Sequence, residues 1–506
     1  MKYFIINDHL YLRLNGNKIQ IFVDDEIFDQ CIYLLLNNGE NHDPLESIDK
    51  IVEASNKNHK RTRSVLDPET EFWGHCSNLQ VWVEHDYDTR LLDRRLAFPL
   101  LKKLTDVNDS TAKKVFKEEI LKRLQDGGRV VREYLVREGF LEYLSTEQLE
   151  DLCDGWIEYR GKKTPVIGNI LLLREKGISD VSKIKNLFEL DSLEVLDLSR
   201  NYYGLTSIPK SIGKLTSLKK LNLGANRLTS LPESIEYLTS LEVLKLDSNL
   251  LHHLPDGIGN LNSLRELDLR FNALRSLPES IGNLTSLKTL NLRSNSISTL
   301  PESIGNLTSL KTLNLYDNTL SSLPESIGKL ISLEELLLGK NNLTSLPMSF
   351  RKLTSLKYLD LTRNNFRALP ESIKNFKHLT HLLLNYNKIM TLPEWIGRFN
   401  LLRRLEISNF DLEPVPKLPD DSNLLERLSF EHEKLRSIPD SIGNLESLEE
   451  LRLGGNKLKS LPESILRLSN LDILEIAINP LDSPSKELLR ILERRDVFVE
   501  KSKNQY

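Results

Sequence analysis

The sequence predicts an α/β fold, a solenoid of short coils that stack into one parallel β-sheet on the concave side of a horseshoe, preceded by a small mixed, mostly helical N-terminal domain. Three observations carry this expectation. From residue 193 one apolar phrase recurs at a fixed period through most of the 506-residue chain. Within each period, apolar residues alternate as they do on a strand buried on one face. Before residue 165 the phrase is absent and the apolar spacing turns helical. A chain of this length needs several cores or a stack of repeats, and the fixed period decides for the stack.

The phrase is L-x-x-L-x-L-x-x-N-x-L-x-x-L-P-x-x-I-x-x-L. Its asparagine column reads Asn201, Asn226, Asn249, Asn272, Asn295, Asn318, Asn341, Asn364 and Asn387, then Phe410, Glu433, Asn456 and Asn479, with a first interval of 25 residues and eleven of 23. Alternating leucines such as Leu244 and Leu246 point inward from a short strand, and the residues between them face outward. A proline column from Pro209 to Pro462 sets the return on the convex side, where proline suits a first turn that needs no amide donor. Each asparagine stands where the backbone leaves the sheet, and a carboxamide can serve the donors and acceptors stranded there. One coil cannot bury its own apolar face, so the coils are stable only as a stack.

Thirteen repeats fill residues 193–482. Residues 166–192 read as a degenerate capping coil, with Glu175 in the asparagine position. Residues 483–506 hold a capping helix, SPSKELLRILERR, in which Leu488, Ile491 and Leu492 share a face, and a tail. Such a helix covers the open end of a parallel sheet, which would otherwise template aggregation. One defect interrupts the array. Phe410 and Glu433 break the asparagine column, Pro414, Pro416 and Pro419 remove amide donors, and Pro419 and Ser422 replace core residues. Because the 23-residue period survives, the strands at 402–407 and 425–430 are expected to pair, with only the convex return at 414–424 irregular.

The first 165 residues divide further. Residues 1–53 open with alternating strands around Asn15-Gly16, a hairpin signal, followed by the helix-like run EIFDQCIYLLLN. Residues 54–71 read as a linker or long loop. Residues 72–165 are helical in spacing, with LAFPLLKKL, STAKKVFKEEILKRL and VVREYLVREGFLEYL separated by VND and GG.

The repeated LPESIGNLTSL at this period is the signature of leucine-rich repeats. Over residues 193–481 it resembles the intracellular arrays of Ras-suppressor and plant Ras-group-related proteins. That resemblance implies a protein-interaction surface on the concave face, which in some relatives engages small GTPases or phosphatases. The stretch EFWGHCSNLQVWVEHDYDTRLL with LAFPLLKKL resembles a leader region of uncharacterised prokaryotic proteins that carry similar arrays; no activity follows from it.

Several functions are disfavoured by composition. With 68 basic and 72 acidic residues and no block of like charge, nothing marks a nucleic-acid or anionic-membrane surface, and no run of about 18 apolar residues offers a membrane span. Three scattered cysteines, Cys31, Cys76 and Cys153, make no disulfide framework and suit a cytoplasmic, reducing compartment. The sequons at Asn283, Asn306 and Asn342 are then by-products of the repeated phrase, whereas a secreted chain would carry sugar there. GWIEYRGKKT at 155–164 has five residues between its glycines and no hydroxyl after its lysine pair's first member, so it reads as a surface turn and not as a phosphate cradle. His75, Cys76, Glu84, His85, Asp86 and Asp88 are of metal-ligand and nucleophile types, but their spacing fits no ligand pattern. Trp73, Leu79, Trp82 and Leu91 interleave with them, as in a packed structural motif. No catalytic, cofactor or metal residue is assigned.

The outward strand positions remain. Near the centre they are Arg270, Phe271, Arg293, Tyr316, Leu337, Tyr358, Arg363, His381, Leu383 and Tyr386. Tyrosine, arginine and phenylalanine anchor protein interfaces, and Leu337 and Leu383 place an apolar patch within a polar row. The alternative is that these aromatics only pack sideways along the sheet. The expectation is a non-enzymatic scaffold or adaptor that binds a protein partner here. The rival is a regulator or enzyme with its activity in residues 1–165, acting on small-GTPase signalling.

Overall fold

The computed structural model describes residues 2–16, 18–28, 68–92, 94–202, 204–408 and 435–501. The chain divides into two compact units, residues 1–157 with 161–172, and residues 158–160 with 173–506.

In the first unit, β1 (Lys2–Ile5), β2 (Leu10–Asn15), β3 (Lys18–Val23) and β4 (Glu26–Ile27) form an antiparallel sheet in that order. The expected hairpin is present, with Gly16 at φ 60° in its turn and Asn15 opposite Lys18. EIFDQCIYLLLN does not begin as a helix, since Glu26–Ile27 pair with β3; from residue 29 it lies outside the described residues. So does the expected linker up to residue 67, and its last four residues instead open α1 (Pro68–Glu84). Then follow α2 (Arg94–Asp106), α3 (Ser110–Asp126), α4 (Arg129–Arg137) and α5 (Thr146–Leu152). Asp109 caps α3 by accepting from the Ala112 amide at 2.9 Å, and Ser145 with Gln148 forms a capping box on α5. Phe98, Phe116 and Phe140 meet at centroid distances of 5.0 to 5.7 Å in this unit's core. The segment expected to be helical to residue 165 ends in strands, β5 (Cys153–Tyr159) and β6 (Lys162–Ile167), followed by β7 (Ile170–Leu172).

Among the described residues of the second unit thirteen strands, from β8 (Val195–Asp197) to β20 (Phe498–Glu500), lie side by side in chain order, in parallel and in register. Inward leucines such as Leu244, Leu267 and Leu290 are fully buried. Each proline opens a short 3-10 turn, its carbonyl accepting from the amide three residues on, as Pro278 does from Ile281 at 3.1 Å. Glutamates after the prolines accept from backbone amides of the next coil, Glu302 from Ser326 at 3.3 Å and Glu325 from Ser349 at 3.1 Å, so amides stranded at one turn are served by its neighbour.

The asparagine column does what its chemistry promised. Asn249 donates through Nδ2 to Leu246 in its own strand and to Leu223 in the coil before, at 3.1 and 2.9 Å, while its Oδ1 accepts from the Leu228 amide at 3.0 Å. The residue before each asparagine sits in the left-handed region, from Ala225 at φ 53° to Tyr386 at φ 57°. Glu175, at φ 57°, belongs to that preceding column: its amide bonds Ser199 as the Arg200 amide bonds Gly224, so Lys176 and not Glu175 stands in the asparagine position. The sequence alignment of this cap was one residue off because nothing in a degenerate coil marks the bend.

At the expected defect the strand pairing among the described residues departs from sequence order. β17 (Arg404–Glu406) pairs on one side with His381–Leu383 and on the other directly with β18 (Glu450–Arg452), Leu405 opposite Leu451. Asn456 donates to the carbonyl of Ile407, 49 residues earlier, where intact coils show 26; the difference is one period. On the convex side a Cβ on Gly397 would lie 2.3 Å from the Ser441 carbonyl, the contact Gly305 makes with Ser326 in the regular array. Both edges of β17 are thus taken among the described residues, and the expected strand at 425–430 lies outside them. Phe410, Glu433 and residues 414–424 lie outside the described residues. Coils present closely similar leucine columns to their neighbours, so β17 and β18 pair as consecutive strands do elsewhere in the array.

The C-terminal cap differs in detail. α6 (Ser483–Glu493) is capped by Asp482 and buries Ser485, Leu489 and Leu492, while Leu488 and Ile491 are only half-buried. Ser485 sets this rotation, its Oγ accepting from the Leu461 amide at 2.8 Å. β20 then adds a strand the sequence had not suggested. Among the described residues no helix is long and apolar enough to cross a membrane.

Two outcomes follow. Leu290→Ala should lower unfolding free energy by about 2 to 5 kcal/mol in urea titrations, whereas Asn291→Ala on the outer face loses only the bond from the Arg293 amide and should cost about 1 kcal/mol or less; similar losses would reverse the inward and outward assignment. Glu406→Cys with Arg452→Cys should form a disulfide that mass spectrometry maps between those two residues, since adjacent strands lie about 4.8 Å apart and an intervening strand would double that beyond reach.

Candidate functional site

The candidate site is the outer face of the sheet in the second unit. Short strands in exact register place outward residues in columns about 4.8 Å apart. The ten residues singled out from sequence resolve into separate groupings. The Arg293 guanidinium lies 5.7 Å from the ring centre of Phe271 and 5.2 Å from that of Tyr316. Tyr358 and His381, opposite one another in adjacent strands, stack at 5.2 Å. Arg363 lies over Tyr386 at 4.7 Å. Leu337 and Leu383 both flank Asp360 in register. Arg270 turns to Asp268, 3.2 Å away.

Sideways packing along the sheet is therefore present, as the alternative reading held. The groups nevertheless keep open faces: Phe271 is 48% exposed, and Tyr316, Tyr358 and Tyr386 are half-buried. Phe271, Arg363 and Tyr386 occupy the left-handed column, at φ 55°, 51° and 57°, so the bend itself throws their side chains outward. A Cβ on Gly339 would lie 2.7 Å from the Tyr316 ring, so the absence of a side chain there gives that ring its seat. Burial, reinforced by the nearby Arg404 charge, holds His381 below the ordinary histidine range.

Sequence reasoning missed the carboxylates of the middle outward column, Asp268, Asp360, Glu406 and Glu475, all nearly buried. The signal available was their shared column with Asn222, Asn291 and Asn314. Glu406 is held by Arg404, whose Nε lies 2.5 Å away, with Arg452 3.7 Å away, and Asn385 donates to it at 2.5 Å. Glu475 accepts from Ser408 at 3.3 Å and its other oxygen is buried without a hydrogen bond among the described residues. Burial, with like charge from Glu500 and Glu406, raises its carboxyl above the usual range.

The cluster in the first unit is consumed by structure. Cys76 is buried and its thiol pushed up to about 12 by burial, which withholds the thiolate a nucleophile needs. Glu84 accepts from Gln80 at 2.8 Å, His85 bonds the Val81 carbonyl at 2.8 Å, and Arg90 holds the Asp88 carboxyl at about 2. Leu79 and Trp82 are fully buried as expected, but Trp73 and Leu91 are 46% and 45% exposed, Trp73 lying edge-on to Phe4. Among the described residues no three His, Cys, Asp or Glu side chains gather as metal ligands. At 155–164, Arg160 and Gly161, at φ 50° and 77°, make the tight turn between β5 and β6, and no helix follows to receive a phosphate.

Comparison with known proteins agrees with this architecture. A model of the leucine-rich repeat region matches residues 169–273 and 264–341, and a model of two leucine-rich-repeat copies matches residues 331–375. A leucine-rich-repeat protein of Leptospira interrogans is similar over 71% of this chain and 98% of its own, with 32% identity and a TM-score of 0.50. A plant peptide hormone receptor, solved in complex with its hormone, shares 30% identity over 58% of this chain and 49% of its own, with a TM-score of 0.46. An internalin of Listeria monocytogenes shares 23% identity over 60% of this chain and 80% of its own, with a TM-score of 0.48. No curated protein matches the sequence. The chain belongs to the leucine-rich-repeat family, whose members generally mediate protein–protein interactions.

The raised Glu475 carboxyl has a pH consequence. The folded chain keeps that proton to higher pH than the unfolded chain does, so the stability this group contributes is lost as pH rises through its folded value. Glu475→Gln should therefore raise the melting temperature at pH 7, and the advantage should fade as pH falls into the ordinary glutamate range; thermal unfolding at several pH values checks both.

Proposed function

We propose that this protein is a non-enzymatic scaffold or adaptor whose concave sheet face binds a partner protein. The observation that carries the reading is the set of open aromatic and arginine groupings at the centre of that face, Phe271–Arg293–Tyr316, Tyr358–His381 and Arg363–Tyr386. Such residues give large contact area at small conformational cost, and here their sideways contacts fix them before a partner arrives. The LPESIGNLTSL phrase supports a place among intracellular arrays of the Ras-suppressor type. Cys76 and Cys153 are free thiols, which supports a reducing, cytoplasmic setting.

Replacing Tyr316, Tyr358 and Tyr386 together by alanine should abolish capture of the partner in affinity purification, each anchor contributing about 2 kcal/mol or more, while the melting temperature stays close to that of the wild type. Full retention of capture by the triple variant overturns the reading.

A further inference from the structure

Asp360 lies at the centre of this face and is 6% exposed. Its register partners on either side are Leu337 and Leu383, so a carboxylate stands between two leucines in one column. Tyr358, stacked on His381, borders it along one side, and Thr362 lies two residues on, past the end of the strand, with Tyr316 seated over the adjacent Gly339. No basic side chain forms an ion pair with Asp360 among the described residues. Glu406, the charged group that acts on it, is of like sign, and burial with that charge raises the Asp360 carboxyl.

Asp360 is held by Thr362, through hydrogen bonds from both its side chain and its backbone, and holding it does not need the charge. It accepts from the Thr362 amide at 2.8 Å. In the same column Asn222, Asn291 and Asn314 accept from the amide two residues on at 3.1, 3.2 and 3.0 Å with a neutral carboxamide. Among its charged counterparts Asp268 is paired with Arg270 and Glu406 with Arg404, while Glu475, at the far end of the column, forms no ion pair among the described residues. A carboxylate held between leucines without a cation is costly, and a cation supplied from outside would relieve that cost. Lysine and arginine suit the place because each has an apolar stem for the leucine pair and a charged end, which Tyr358 and Tyr316 can also attract.

We propose that Asp360, Leu337 and Leu383 form a subsite for a lysine or arginine side chain of the partner protein, its stem between the leucines and its charge on the carboxylate. The subsite rests on the concave-face reading and names the chemistry that the face selects.

The test uses the full chain and a display library of random short peptides. The wild type should select peptides with lysine or arginine at one fixed position beside apolar residues. Asp360→Asn, which keeps the bond to Thr362 and does not lower the melting temperature, should bind them about tenfold or more weakly, and Asp360→Glu should retain most binding. Acetylating the selected lysine should cause the same loss, and this arm stands even where Asp360→Asn fails to fold. Selected peptides that bind Asp360→Asn undiminished, or that carry no conserved basic position, overturn the subsite; if they still require Tyr316, Tyr358 and Tyr386, the concave-face reading survives. Peptides indifferent to both sets of substitutions overturn both, as does selection of none.

Discussion

The carboxamide between coils is the interaction on which the rest depends. At the end of each strand the backbone turns through a left-handed residue and leaves carbonyls of two successive coils facing into the stack, away from water. A buried unpaired carbonyl costs about 1 to 3 kcal/mol, and asparagine serves two of them through Nδ2 while its Oδ1 takes an amide from the coil before. Leucine packing makes the interior dry, and dryness makes these bonds obligatory. The same bonds fix the height of each coil on the next and hence the register of the sheet.

Function grows from that constraint. Non-glycine residues in the left-handed region are unfavourable by about 1 to 3 kcal/mol, and the asparagine bonds hold them there coil after coil. Phe271, Arg363 and Tyr386 occupy that column, so the bend that costs energy also projects candidate contact residues from the sheet. Along the strands, in-register pairing brings side chains of neighbouring coils within reach, which is why Tyr358 meets His381 and why Asp360 is confined between two leucines. Lateral contacts of this kind order the face in the free chain, which would lower the entropy lost if a partner binds as proposed.

Repetition also makes the array tolerant. Each junction uses the same columns, so the coil ending at β17 and the coil carrying β18 meet as any neighbours do, with leucine opposite leucine and an asparagine bridging them. The repeat between them in sequence lies outside the described residues. In a quasi-one-dimensional stack, stability is a sum over neighbouring interfaces, and a poor coil weakens two of them at once.

The sequence by itself determined the class of fold, the inward leucines, the asparagine bridges, the proline turns and the outward position of the ten candidate residues. These follow from local chemistry repeated at a fixed period, so each column is read many times and errors cancel. Where a position occurs once, that protection is absent: Glu175 was placed one residue from its true column, α6 turned out to bury Leu489 in place of Leu488, and Trp73 proved half exposed. Only the tertiary structure decided which coil stacks on which, because near-identical coils compete for one another and sequence order does not settle the competition. It alone also revealed Asp360 as a buried carboxylate with no ion pair among the described residues. Charge balance in an outward column depends on which residues stand beside one another across strands, some 23 positions apart in the chain, and no stretch of sequence displays that neighbourhood.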